Sequence, residues 1–505
     1  MVNMSDYRID TKCIQSGYQP GNGEPRVVPI VQSTTYTYDS SEDMGDLFDL
    51  KADGFFYTRL GNPTLDAVEK KIAVLEGGVG AMLTSSGQAA SLISMLNICH
   101  AGSHIVASSA IYGGTFNLIF KTMQEMGIES TFVSPGCSRE ELQAAFRPNT
   151  RCVFAETLSN PSLVVTDIEM FAQEAHAHGV PLIVDEAHGA HFAFYEGEGE
   201  NRQTGRLFPR SALQCGADLV IQSVHKTLPS LTQTAVLHLK EGITDRERLE
   251  FYLRIYQSSS PSYVMMASID NCIEYMAGEG RKRLEQLGRR LEHWMEDAKQ
   301  WSCLRVLDDH VLGENGAFDR DISKLVVGIS PQAEKAGING TALAEAVRRR
   351  FHLEPEMCCD RYVLYMTSLM DSEESLFKLS AALTKIDEEI AGALCMGRNE
   401  GTEGTSEETE KYSGKQGTLT WTRDVPRRIS MAEAVSKKGR RIRLEDACGC
   451  ISRGFLTVYP PGVPAVVPGE MISQETAELL LKNAGLGLTV EGLDSDGSID
   501  AVKDE

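Results

Sequence analysis

Positive charge is scarce in this chain. Its 505 residues carry 49 Lys and Arg against 71 Asp and Glu, a formal net charge of −22 at pH 7. Nucleic-acid backbones are bound by clustered cations, so an acidic chain of this kind argues against a nucleic-acid partner and for a small-molecule one. Long apolar runs are missing too. No stretch supplies the roughly 20 uninterrupted apolar residues that cross a bilayer. The start, Met1-Val2-Asn3-Met4-Ser5-Asp6, has neither the basic nor the apolar region of a secretory leader. A cytoplasmic protein with no membrane partner is therefore expected. The 12 cysteines lack paired metal-ligand spacing, and only Cys358-Cys359 and Cys448-Gly449-Cys450 lie close together. Buried, reduced thiols are expected, with no bound metal. No internal repeat is visible.

With 42% hydrophobic and 24% charged residues, the composition is that of a globular protein with one large and one or two small domains. From about 81 to 236, short apolar runs at 81–85, 105–108, 152–156, 181–185 and 219–223 alternate with amphipathic stretches. That alternation predicts an α/β fold, a mostly parallel sheet with helices on both faces and sites where strands end. A helical pattern near 281–300 precedes apolar runs at 324–329 and 362–367 that flank a helix at 340–350, which predicts a smaller α/β domain. Residues 397–422 are too polar to fold alone. Beyond them, Tyr459-Pro460-Pro461-Gly462-Val463-Pro464 is too proline-rich for a central strand. The expected organisation is an N-terminal arm at 1–55, a large domain at 56–280, a small domain at 281–396, a linker at 397–425 and a C-terminal module at 426–505.

Two strand tips carry the chemistry. Leu182-Ile183-Val184-Asp185 ends in a carboxylate, and Leu219-Val220-Ile221-Gln222-Ser223-Val224-His225-Lys226 ends in a lysine. Pyridoxal 5'-phosphate (PLP) needs this pair: a buried carboxylate keeps the pyridine nitrogen protonated, and a lysine bonds covalently to the aldehyde and later moves protons. Either residue alone reads better as a surface strand end; their conjunction with the flanking motifs reverses that and points to the cofactor. In Thr84-Ser85-Ser86-Gly87-Gln88-Ala89-Ala90 a strand end runs into a helical pattern, placing Ser86, Gly87 and Gln88 at a helix N-terminus suited to phosphate. Ser223 and His225 would complete that cup. Tyr112, after another strand, is either a packed loop tyrosine or an aromatic stacked on the pyridine ring.

The motifs resemble two families. Gly23-Glu24-Pro25-Arg26, Gln32-Ser33-Thr34-Thr35-Tyr36, Tyr57-Thr58-Arg59, Asn62-Pro63-Thr64, Ile111-Tyr112-Gly113-Gly114-Thr115 and Glu156-Thr157-Leu158-Ser159-Asn160-Pro161 make residues 11–184 similar to the O-acetylhomoserine sulfhydrylase branch of the Cys/Met-metabolism PLP family. From Asp185-Glu186-Ala187-His188-Gly189-Ala190-His191-Phe192 onward, through 222–233, Ser258-Ser259-Ser260-Pro261-Ser262-Tyr263, Glu356-Met357 and 459–470, the chain resembles the ornithine/lysine/arginine decarboxylases. Both families imply the type I, aspartate-aminotransferase-like fold of PLP-dependent transferases. The first resemblance implies cofactor contacts from Gly87, Gln88, Tyr112 and Asn160, and from Tyr57 and Arg59 reaching a neighbouring subunit in a homodimer. The second implies Asp185, His188, Ser223, His225 and Lys226, with Ser259 or Ser260 at the phosphate across the dimer interface.

A PLP enzyme breaks whichever bond at Cα stands perpendicular to the ring, so the holding of the α-carboxylate decides the reaction. The arginine with which sulfhydrylases clamp that group has no recognisable counterpart here, and leaving the carboxylate unpaired favours its loss as carbon dioxide. The expected reaction is decarboxylation of arginine, lysine or ornithine, as in polyamine biosynthesis, with Lys226, Asp185 and His188 as catalytic residues. Glu470 is a candidate for the distal cation of the substrate. The decarboxylases' own N-terminal half, with its Pro-Gly-His-Lys stretch, is missing. Sulfhydrylase or γ-lyase activity, or a PLP-binding hybrid with little turnover, are the alternatives.

Overall fold

The computed structural model describes residues 7–48, 51–52, 54–160, 162–197, 206–258, 261–307, 317–359, 361–399, 428–429, 431–459, 463–485 and 489–503. Ser259, Ser260 and nearly all of the expected linker lie outside these residues.

Seven strands form the main sheet: β1 (Gly80–Thr84), β2 (His104–Ser108), β3 (Glu129–Val133), β4 (Thr150–Glu156), β5 (Leu182–Asp185), β6 (Leu219–Ser223) and β7 (Ala235–Leu239). Their order is β1-β7-β6-β5-β4-β2-β3. The four pairings from β3 to β6 are parallel, whereas β7 runs antiparallel to both β1 and β6. The fully apolar runs follow from burial on both faces. Ile183 packs with Met82 and Ile93 on one side of the sheet, while Leu182 and Val184 pack with Phe171 and Ala212 on the other. In β4 and β5, Glu156 stands opposite Asp185, and Asp185 opposite Ile221 of β6. Three neighbouring strand ends therefore meet at one edge.

The smaller sheet, β8 (Leu304–Val306), β9 (Lys324–Ile329), β10 (Met357–Cys358) and β11 (Tyr362–Met366), is ordered β10-β11-β9-β8 and antiparallel throughout. The helices Gly340–Phe351 and Glu373–Asn399 accompany it. A third unit holds β12 (Gly439–Arg443), β13 (Leu456–Tyr459), β14 (Val463–Val466), β15 (Thr489–Glu491) and β16 (Ser498–Val502). The proline-rich stretch behaves as expected: only its first residue, Tyr459, belongs to the central strand β13 of a three-stranded sheet, and Pro464 sits in the edge strand β14, where a missing N–H costs least. Val467 and Phe455 of this unit pack against Phe116 and Phe120 of the large domain. The cysteines form no disulfide among the described residues, and Cys395 and Cys448 are exposed where burial was expected. Among the described residues, no helix is long and apolar enough to cross a membrane.

A charged cluster occupies the seam between the large and small sheets. His191 Nε2 lies 3.4 Å from Asp321 Oδ2, and Lys324 Nζ lies 3.0 Å from the same oxygen, all three side chains being buried. Lys324, His191 and the Ser323 hydroxyl hold the Asp321 carboxyl far below the usual carboxylate range, outweighing its burial. Asp321→Asn would strand the Lys324 charge, and a loss of about 3–5 kcal/mol in unfolding free energy is expected. Because the folded-state pKa is depressed, this stabilisation is complete above roughly pH 4 and shrinks as pH falls below it, being lost only at the depressed folded-state value. In urea melts of both proteins across pH 2–7 the gap between them should narrow toward the acid end without closing.

Candidate active site

Asp185 ends β5 and is buried; its Oδ1 accepts from the Ala187 N–H at 2.9 Å, which turns the chain sharply after the strand. Lys226 follows β6 on the single turn Val224–Thr227, which begins where Val224 N–H meets the Thr234 carbonyl. Its Nζ reaches His188 Nε2 at 3.2 Å and lies 5.9 Å from the Tyr112 ring centroid. Asn160 Nδ2 approaches the same His188 nitrogen at 3.3 Å. Two donors face Nε2, so the ring proton belongs on Nδ1, and Nδ1 is buried without a partner. Burial first, then the charge of Lys226, pushes the His188 pKa down to about 2, so this imidazole is neutral throughout the ordinary pH range.

The phosphate-type cup forms at the helix Gly87–Ile98. The Ser86 hydroxyl caps it by accepting from Ala89 N–H at 3.1 Å, while the N–H groups of Gly87 and Gln88 lie before the first intrahelical bond. A Cβ on Gly87 would stand 3.2 Å from Ser223 Oγ, so glycine lets the helix end close on the tip of β6. Gln88 donates to the Gly114 carbonyl at 3.3 Å and accepts from the Thr115 hydroxyl at 3.3 Å, tying the cup to the segment after Tyr112. His225 turns its Nδ1–H to the Thr234 carbonyl at 3.0 Å.

Glu156 is the residue that reading the motifs missed. Its buried carboxylate accepts from the Tyr112 N–H at 2.7 Å and from the Asn160 N–H, so one side chain fixes the backbones of two expected cofactor contacts. Its position at a strand tip was visible in the sequence; that it stands beside Asp185 was not. The two carboxyls interact. Burial, then the Asp185 charge, raises the Glu156 pKa well above its ordinary value; burial raises that of Asp185 too, against the opposing pull of Lys226 and the Ala187 N–H. Of the two carboxyls, Glu156 is the one pushed further toward its protonated form.

The structure thus brings together Asp185, His188, Lys226, Tyr112 and Asn160, with Ser86, Gly87, Gln88, Ser223 and His225 beside them. It does not bring the remaining three into this group. Tyr57 and Arg59 lie on the N-terminal side, Arg59 over the Tyr57 ring at 5.6 Å and lining a 310 Å³ cavity that also includes Ser85. Glu470 sits in the C-terminal unit and accepts from its own turn through the Val467 N–H at 2.9 Å.

The group fits PLP. It offers a carboxylate at the sheet edge, an exposed amine, an aromatic face, a helix-end cup walled by a hydroxyl, and an imidazole N–H lacking a partner. Tyr112, half exposed, would cover the ring, and Tyr112→Ala should weaken cofactor affinity about fivefold, equivalent to about 1 kcal/mol of stacking. Equilibrium dialysis of PLP measures it.

Comparison with known proteins agrees with this reading. Residues 10–230 match the Cys/Met metabolism PLP-dependent enzyme family, and residues 422–482 match the Orn/Lys/Arg decarboxylase C-terminal domain. An arginine decarboxylase of Bacillus subtilis is 30% identical over 329 residues, 65% of this chain and 61% of that protein. Sulfhydrylase FUB7 of Fusarium oxysporum f. sp. lycopersici is 40% identical over 219 residues, 43% of this chain and 47% of that protein. A solved O-acetylhomoserine (thiol)-lyase of Campylobacter jejuni, carrying pyridoxyl-lysine monophosphate, superposes with a TM-score of 0.55 at 19% identity, covering 75% of this chain and all of that one. The chain thus spans about half to three fifths of the length of these curated relatives. The fold is that of the type I PLP-dependent enzymes, the cofactor is PLP, and segments similar to both families are joined in one polypeptide. The first family match runs to residue 230, beyond the change at 185 seen in the motifs.

Proposed function

We propose that this chain is a cytoplasmic, homodimeric PLP-dependent decarboxylase of a basic amino acid, arginine, lysine or ornithine, with Lys226 as the amine that bonds the cofactor. The observation that carries the reading is the 3.2 Å contact between Lys226 and an uncharged His188, two residues from decarboxylase-like motifs. The arginine decarboxylase likeness supports it, because a match of 329 residues within 505 necessarily takes in Asp185, His188 and Lys226.

Bound PLP supplies an electron sink for the pair released when a bond at Cα breaks. Asp185, whose charged form Lys226 and the Ala187 N–H favour against its burial, would hold the proton of the pyridine nitrogen. Gly87 and Gln88 N–H groups with the Ser223 hydroxyl would bind the phosphate, and Tyr112 would hold the ring plane so that one bond of Cα is aligned for cleavage. His188 accepts from the Lys226 amine through Nε2 and so would orient the group that returns a proton to Cα. As a neutral group, His188 adds no cation to clamp the departing carboxylate and stabilise the ground state.

A sulfhydrylase reading is favoured by one observation, the family match that extends through Lys226 to residue 230. Purified, PLP-loaded protein should be incubated with arginine, lysine and ornithine, and separately with O-acetylhomoserine and sulfide, with products identified by mass spectrometry. Carbon dioxide and the corresponding amine are expected. Homocysteine in the second incubation would overturn the proposal in favour of sulfur transfer, and a loaded protein yielding neither product would leave a cofactor-binding hybrid.

A further inference from the structure

A cleft of 580 Å³ opens away from Lys226, between the helix Ile9–Gln15, the end of the helix Pro63–Glu76 and the start of the helix Arg281–Ala298. Lys12, Lys240 and Arg281 line it together with Glu76 and Glu196. Three cations converge here in a chain with a net charge of −22, which makes the cleft an anion-attracting spot on an otherwise repelling surface. Arg281 pairs with Glu196 at 2.8 Å, and Lys240 donates to the Leu213 carbonyl at 3.2 Å. Lys12 has no ion-pair partner among the described residues.

The floor of the cleft carries the second observation. Glu76 is 5% exposed; its Oε1 accepts a long bond from Gln222 Nε2 at 3.5 Å, and its Oε2 is buried without a partner. Arg281 Nε is buried and unpartnered as well. A buried polar atom left unsatisfied costs about 1–3 kcal/mol, so two in one cleft mark groups that a ligand completes. A carboxyl at the floor is compatible with an anion, since burial pushes Glu76 up to about 7 and lets it present an O–H donor.

We propose that this cleft binds a compact dianion, a phosphate monoester or a small dicarboxylate, whose charges meet Lys12, Lys240 and Arg281 while one of its oxygens accepts from Glu76. Occupancy is linked to the active site through few atoms. Gln222, which reaches Glu76, also donates to Glu186 Oε1 at 2.9 Å, and Glu186 adjoins Asp185 while accepting from the Ala212 N–H at 2.7 Å. The site is independent of which reaction the enzyme runs.

Calorimetric titration of the PLP-loaded protein with inorganic phosphate, and separately with succinate, tests it, the cofactor already occupying its own phosphate cup. One equivalent per chain is expected for at least one probe, the successful probe distinguishing phosphoryl from carboxylate ligands. The double variant Lys12→Gln/Lys240→Gln should melt at the wild-type temperature and bind at least tenfold more weakly, and Lys12→Gln alone should show a smaller loss. Failure of both probes to bind, or equal binding by wild type and variants, would overturn the proposal.

Discussion

Lys226→Ala is expected to lose the visible absorption band of the cofactor-loaded enzyme and to lower turnover by about ten-thousand-fold or more. The covalent bond to the cofactor aldehyde and the proton returned to Cα depend on one amine, so both readouts should disappear together. Lys324, the other lysine near His188, does not substitute for it: it is buried against Asp321 at 3.0 Å and serves the seam. Absorption spectra and single-turnover kinetics on the variant check this. A retained band would place the cofactor-bonding amine elsewhere and dissolve the site as drawn.

Asp185→Asn should reduce kcat roughly two-hundred- to five-thousandfold while changing the substrate KM little. The neutral amide fills the same space but no longer stabilises a proton on the pyridine nitrogen. Removing one partner of a buried charge pair costs about 3–5 kcal/mol, and each 1.36 kcal/mol is tenfold in rate. Glu156 does not move into the vacated place, because the backbone N–H groups of Tyr112 and Asn160 hold its carboxyl where it is. Steady-state kinetics of wild type and variant, together with Asp185→Glu as a partial rescue, separate loss of chemistry from loss of binding. Unchanged kcat in Asp185→Asn would remove this residue from the mechanism.

The strand tips were legible because β5 and β6 each open with a three-residue apolar run, Leu182–Val184 and Leu219–Ile221, that gives way to polar residues, and a carboxylate or an amine after such a run has few places to go. The helix start at Ser86 was legible for a similar reason, a capping hydroxyl just before an apolar pattern. Strand direction was not. Apolar runs of β7 and β5 look alike, since burial on both faces erases the period that would mark an antiparallel strand, and β7 proved antiparallel. The small sheet hid its directions in the same way. Glu156 escaped notice because its role depends on the register between β4 and β5, a long-range property that one sequence does not display. His191, Asp321 and Lys324 were invisible for the same cause: they come from two domains and meet only after both have folded. At Glu470 the motif was readable but its placement was not, since the C-terminal unit presents Val467 and Phe455, not that carboxylate, to the aromatic cluster around Phe120.

The ion cluster at the seam also bears on how molecules reach Lys226. Swinging the small domain outward at His191 would part that imidazole from Asp321, while Asp321 and Lys324, three residues apart on the same domain, would stay together. Opening there would uncover a buried ion pair. The Lys226 side chain and the half-exposed ring of Tyr112 are open to solvent, so the residue proposed to cover the cofactor also stands in the doorway.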